Sequence, residues 1–296
     1  MFYRFFSIKL EHGFFIRIDQ RSVKMKLFYR ERHNELGVNR MNPVIAMFTI
    51  AMAFTSAPVV AQQAGGYSPQ PSDPEIWDIA RGGQLYDDWM VVLEHPVPEG
   101  NHPAYPDIGK KKGKTTWRCK ECHGWDYMGE DGAYNKGGHY TGIKGLRRAV
   151  GMDTDELMNI IRDKTHQYTE AMIPDTAVRK LALFISRGQV GMDQYIDRST
   201  RRARGDLRRG ASFFQTVCAI CHGFDGTTMV SKSETSLAAF GDRGYLGTIA
   251  SDNPWEALHK IRNGQPGVGM VALRVMSVQD QVDVLAYMQT LRRRSQ

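Results

Sequence analysis

Cys119-Lys120-Glu121-Cys122-His123 and Cys218-Ala219-Ile220-Cys221-His222 use all four cysteines of this 296-residue chain. The two residues between the cysteines put both sulfurs on one helical turn, and a histidine follows at once. Three chemistries employ such a pair. Zinc gathers two pairs into one tetrahedron and needs no histidine after either. A redox dithiol leaves the histidine without a role. Covalent attachment of haem c uses all three residues. Each thiol adds across a haem vinyl group as a thioether, and the histidine lies under the iron as its proximal ligand. The motif occurs twice, about a hundred residues apart. The expected cofactors are therefore two covalently attached haem c groups, held by Cys119 with Cys122 and by Cys218 with Cys221, with His123 and His222 on the irons.

Both motifs sit in helical surroundings. Residues 78–92 read as a helix, with Ile79, Leu85, Trp89 and Val92 on or near one face. A helix over residues 153–164, capped by Asp153 or Thr154, presents Leu157, Ile160 and Ile161. Another over 176–186 presents Val178, Leu181, Ala182 and Ile185, with Gly188 just past its end. The second half repeats the order. Residues 209–222 hold a helix and the motif. Asn253 and Pro254 open a helix that runs to Arg262, and Ser277 caps a last one reaching Leu291. Residues 95–115, rich in Pro, Gly and Lys, read as an irregular loop, and the Gly-containing stretches after each motif read as wrapping segments. Trp117 and Trp125 flank the first motif, against the porphyrin or simply in the core.

On these residues each half resembles a class I cytochrome c domain, and the whole resembles a dihaem cytochrome c, over about residues 76–190 and 205–296. The resemblance implies an all-α fold of two tandem domains with haem-filled cores, joined by a basic linker at 191–204. Arg81-Gly82-Gly83-Gln84-Leu85-Tyr86 aligns with Arg209-Gly210-Ala211-Ser212-Phe213-Phe214. In such a domain this glycine lets the first helix approach the last, and the aromatic packs there. Gly210 precedes Cys218 by eight residues and Gly82 precedes Cys119 by thirty-seven, so the first half carries an insertion of about thirty residues, long for an ordinary loop. It holds His95 and His102, expected on the surface.

The sixth ligand of a class I haem comes from the loop before the last helix. Met172 lies fifty-three residues past Cys119 and Met270 fifty-two past Cys218, and these are the expected axial ligands. His/Met ligation raises the reduction potential. The rivals are His166 in the first half, giving a bis-His haem of lower potential, and Met276 in the second, with Met128 and Met152 weaker still. One departure stands out: neither half has the proline that commonly follows the motif and whose carbonyl orients the proximal histidine. Another carbonyl must do so.

The net charge of +7 comes mostly from the start of the chain. Residues 1–61 hold nine Lys/Arg and four Asp/Glu, or +5, leaving 30 and 28, or +2, in the rest. Bulk charge gives no case for nucleic-acid binding. The run Arg198 to Arg209 reads as a solvated linker or partner patch. Residues 43–60 are apolar and uncharged, and Val59-Val60-Ala61 matches a signal-peptide cut before Gln62. The expected location is the periplasm, or the membrane if the leader stays uncleaved. Residues 1–61 are expected to join no domain, with Met25 and Met41 as alternative starts, and residues 62–75 read as a linker. The expected function is electron transfer between a dehydrogenase and a terminal acceptor, with redox proteins (dehydrogenase, oxidase or another cytochrome) as partners. The alternative is a dihaem oxidoreductase or its haem subunit, resembling thiosulfate dehydrogenases or dihaem peroxidases. No cysteine remains for the distal thiolate that some of the former use.

Overall fold

The computed structural model describes residues 6–9, 14–18, 25–29, 73–228 and 244–293. The chain divides into two compact units, residues 1–63 and 64–296. In the first, β1 (Phe6–Lys9), β2 (Phe14–Ile18) and β3 (Met25–Tyr29) form an antiparallel sheet in sequence order. Phe6 pairs with Ile18, Ile16 with Leu27 and Arg17 with Lys26. These strands lie within residues 1–61, the stretch read as a leader outside both expected all-α domains. Apolar residues alternate through Phe14, Ile16 and Ile18 and again through Met25, Leu27 and Tyr29, the period of a strand. The apolar stretch 43–60 with its cut site, and the linker up to residue 72, lie outside the described residues. Among the described residues no helix is long and apolar enough to cross a membrane.

The second unit is helical. Its first half holds α1 (Asp73–Val92), α2 (Cys119–His123), α3 (Thr154–Arg162) and α4 (Asp175–Leu183), the last prolonged by a wide turn over Phe184–Gly188. Its second half holds α5 (Leu207–Phe213), a wide turn over Phe214–Cys218, α6 (Ala219–His222), α7 (Leu246–Asp252), α8 (Pro254–Asn263) and α9 (Val278–Met288). The caps follow from side chains that accept the free N–H groups of a first turn. Asp153 accepts from Asp155 and Glu156, Asn253 from Glu256, and Ser277 from Asp280. Helix α1 starts five residues before its expected beginning, bends at Asp88, and ends at Val92 as expected. Helix α7 covers residues 246–252, a stretch for which no helix is expected.

Two helix crossings are built alike. A Cβ on Gly82 would lie 2.0 Å from the Lys180 carbonyl oxygen in α4, and one on Gly210 would lie 1.9 Å from that of Asp283 in α9. Only glycine permits such an approach. Four residues on, Tyr86 packs on Phe184 with ring centres 5.4 Å apart, and Phe214 packs on Tyr287 at 5.5 Å. Both Tyr86 and Phe214 are fully buried. The aligned glycine and aromatic thus do the same work in each half.

The halves join along α1 and α8. His259, fully buried, donates from Nε2 to the Gly83 carbonyl (2.9 Å), and its Nδ1 accepts from the Tyr127 hydroxyl (2.9 Å). The carbonyl can only accept, which fixes this tautomer. Gln84 donates to the Asn263 carbonyl, and Arg274 bridges Asn263 Oδ1 and the Gly188 carbonyl. The expected solvated linker is also tied down. Arg198 pairs with buried Asp126 at 2.7 Å, Arg201 reaches the Asp252 carbonyl, and Arg209 pairs with buried Asp283 at 2.7 Å. Arg198, Arg201 and Arg209 thus reach the two halves, while Arg201, Arg202, Arg204, Arg208 and Arg209 stay exposed to solvent as expected.

Candidate haem-binding site

Both Cys-x-x-Cys-His segments adopt one backbone. Gly124 closes α2 at φ 79°, ψ 158°, and Gly223 closes α6 at φ 74°, ψ 159°. The N–H of each glycine donates to the carbonyl three residues before the histidine, Lys120 at 3.0 Å and Ala219 at 2.9 Å. The histidine carbonyl then accepts from the sixth residue after it, Gly129 at 2.9 Å and Thr228 at 3.0 Å. A left-handed glycine turns the chain sharply there. No disulfide joins any two of the four cysteines. Burial pushes the Cys119 and Cys122 thiols up to about 12 and Cys218 up to about 11. Among the described residues no group of three or more His, Cys, Asp or Glu is placed to hold a bare metal ion. The two cysteine pairs therefore do not combine into one zinc site.

The first half supplies the missing carbonyl for its proximal histidine. His123 Nδ1–H donates to the Lys144 carbonyl at 2.8 Å, which leaves the Nε2 lone pair for a metal. Burial holds this imidazole neutral, with its pKa pulled down to about 4. An antiparallel bridge between Gly129 and Lys144 brings that carbonyl to the motif. Beside the cysteines, wholly buried Glu121 accepts from Lys120 Nζ at 2.9 Å and from His139 Nδ1 at 2.8 Å. Trp125, 1% exposed, has the ammonium groups of Lys120 and Lys260 5.3 and 5.5 Å from its ring centre. Both Trp117 and Trp125 are core residues. Asp87, buried on α1, is drawn well below the usual carboxylate range by Lys260 and Arg118, against the upward push of burial.

The axial candidates fall in different surroundings. His166 stands beside His123, with ring centres 6.3 Å apart and planes inclined by 35°. Met172 is half-buried against the core, two positions before Pro174, the cap of α4. Met270 is half-buried in a cleft with Ile76, Trp77 and Ala80 of α1. Met276 is half-buried too, its carbonyl accepting from Gln281. Met128 and Met152 are half-buried.

The insertion is ordered around His102, which is 6% exposed and not on the surface as expected. Its ring packs on Trp117 and Tyr168, with centres at 4.7 and 5.2 Å. Its Nδ1 accepts from the Ala104 N–H (3.1 Å), so Nε2–H donates to the His166 carbonyl (2.9 Å). His95 is half-buried and lies 5.2 Å from the Trp89 ring. The sequence marks neither His102 nor His259, since a lone histidine between loop residues or on an apolar helix face carries no spacing signal.

A family model described as Cytochrome c matches residues 207–292. The match begins with α5 and ends just past α9. The match supports a cytochrome c domain over this segment, with covalently bound haem c and a haem electron-transfer role. No curated protein and no solved structure matches the chain. The residues present fit the group in both halves. Each pairs two thiols on one turn with an adjacent histidine in a shared backbone, and in the first half the histidine already presents its metal-binding nitrogen.

Proposed function

We propose that the chain is a periplasmic dihaem c-type cytochrome that carries electrons between a dehydrogenase and a terminal acceptor. The observation that carries this reading is the doubled motif backbone together with the doubled glycine crossing. The first half, outside the matched segment, repeats the second at both levels. When bound, haem c supplies a one-electron iron centre. The chain's residues do the rest. Cys119, Cys122, Cys218 and Cys221 tether the two groups, and His123 and His222 ligate the irons. Met270, seven positions before the α9 cap Ser277, is the sixth ligand of the second haem. The seam of Gly83, Tyr127 and His259 fixes the halves in one compact unit, so the distance between the two redox centres is set by packed helices.

The test is the haem count of the mature protein from a periplasmic extract, by intact mass and by peptide mass at each motif. Two haems per chain, falling to one in Cys119→Ser/Cys122→Ser, support the reading. A single haem on Cys218 and Cys221 overturns it. Rapid turnover of peroxide or thiosulfate with no added partner overturns the carrier role.

A further inference from the structure

We infer that His166, not Met172, is the sixth ligand of the first haem, and that the insertion exists to seat it. The inference rests on the dihaem reading above.

Four observations carry it. The first is distance. A metal–nitrogen bond of about 2 Å on each side, plus about 1 Å from each nitrogen to its ring centre, spans about 6 Å between two imidazoles on one metal. The rings of His123 and His166 are 6.3 Å apart. The second is tautomer. His166 Nδ1 faces two acceptors, the Ile160 carbonyl at 2.8 Å and Asp163 Oδ1 at 3.2 Å. It must therefore carry the proton, leaving the Nε2 lone pair free, as in His123. The third is register. Counted back from the cap of the last helix, His166 lies eight positions before Pro174, and Met270 lies seven before Ser277. Met172 lies only two before its cap. Matching the motifs by distance from the cysteine hides this, because the loop before α4 is shorter than the loop before α9. The fourth is support. The Asp163 carboxylate accepts from the N–H groups of Thr165 (2.8 Å) and His166 (2.9 Å), while the His166 carbonyl accepts from buried His102. Backbone, ring and carbonyl of this one residue are each held, the arrangement expected of a metal ligand.

The two haems then differ in kind. Imidazole in place of thioether lowers the reduction potential of the first haem relative to the second, so an electron entering at the first half moves on to the second.

The experiment is EPR and near-infrared spectroscopy of the oxidised full chain, with the haem count taken on the same samples. The wild type is expected to give one bis-imidazole low-spin signal and one imidazole/thioether signal. His166→Ala should lose the first and gain a high-spin signal with two haems still attached. Where that variant folds poorly, His166→Met serves instead, and it should convert the first signal to the thioether type and raise the lower of the two potentials. Met172→Ala should leave both signals in place. His102→Phe should raise the high-spin fraction of the first haem, and His102→Gln, whose amide still donates to the His166 carbonyl, should restore it. Two thioether signals in the wild type, one of them lost in Met172→Ala, overturn the inference while leaving the dihaem reading intact. Absence of haem on Cys119 and Cys122 overturns both.

Discussion

Replacing Gly82 or Gly210 by alanine tests the paired crossings directly. An added Cβ at Gly82 meets the Lys180 carbonyl oxygen at 2.0 Å and Phe184 Cβ at 2.7 Å. At Gly210 it meets the Asp283 carbonyl oxygen at 1.9 Å and Tyr287 Cβ at 3.0 Å. Both leading obstacles are helical backbone, which cannot swing aside as a flexible side chain can. Relief requires the helices to part by about 1 Å, and forced overpacking of this kind costs about 1–3 kcal/mol, here at the upper end. Alanine in a helix returns about 1 kcal/mol of propensity. The net loss is about 2 kcal/mol in each variant. With a urea slope of about 2 kcal/mol per molar, the unfolding midpoint should drop by about 1 M. The assay is urea unfolding of the haem-loaded full chain, followed by far-UV circular dichroism. Gly191→Ala is the control. That residue has φ −74° and its Cβ would find nothing nearer than 3.5 Å, so its midpoint should not fall below the wild-type value. Midpoints at or above wild type in both crossing variants would refute the close-packed crossing, because only the propensity gain would then be visible.

Three further outcomes follow from the same geometry. Burial pulls His259 down to about 4 from an ordinary value of about 6.5. The neutral form is thus favoured by folding, and its contribution is whole above pH 6.5 and is lost as pH falls towards 4. Wild type should lose about 2 kcal/mol more between pH 7 and pH 5 than His259→Gln, read from paired urea midpoints. Met270→Ala should abolish the thioether near-infrared band of the second haem, and Met276→Ala should leave it. Arg209→Gln removes the charged partner of fully buried Asp283, which keeps its hydrogen bonds from the Asp206 N–H and Gln279. It should destabilise the chain by about 1–2 kcal/mol in the same urea assay.

The cysteine motifs and the helix caps were legible because each depends on residue type at a fixed local offset. Asp153, Asn253 and Ser277 cap where the sequence places them, and Gly82 with Tyr86 announced the crossing through its repeat at Gly210 and Phe214. The N-terminal strands went unread although their period-two pattern lies in plain view at Phe14 to Ile18. A five-residue alternation inside a basic, aromatic stretch is too short to stand out as a strand. The seam between the halves could not be read at all. Helix α8 is buried nearly all round, from Pro254 to Asn263, so its apolar period does not single out the face that meets α1. The partners of His259 lie 132 and 176 residues away in sequence, and only the packed fold brings them together. For the basic run, composition reports the charge and the exposure, but not the carboxylates at Asp126 and Asp283 that meet Arg198 and Arg209.

The difference between the two ligand loops has a mechanical reason. A methionine side chain is unbranched and flexible, and a third torsion turns the sulfur lone pairs towards the metal, so the loop that bears it can be open. The second half accordingly uses Gly264, Gly267 and Gly269 around Met270. An imidazole has only two side-chain torsions, and its metal-binding nitrogen is aimed largely by the backbone. A loop that offers histidine must therefore be held before the metal arrives, because an error of about 1 Å in the backbone passes undiminished to the ligand. At His166 that hold comes from Asp163 on one side and from His102 on the other. His102 is itself wedged between Trp117 and Tyr168, and the Tyr168 hydroxyl donates to the Trp117 carbonyl two residues before Cys119. One chain of contacts thus runs from the insertion to the ligand loop and to the haem motif. On the ligation inferred for His166, the shorter loop and the thirty-residue insertion belong to one device. Removing the insertion while keeping His166 should leave the first haem attached but without a fixed sixth ligand.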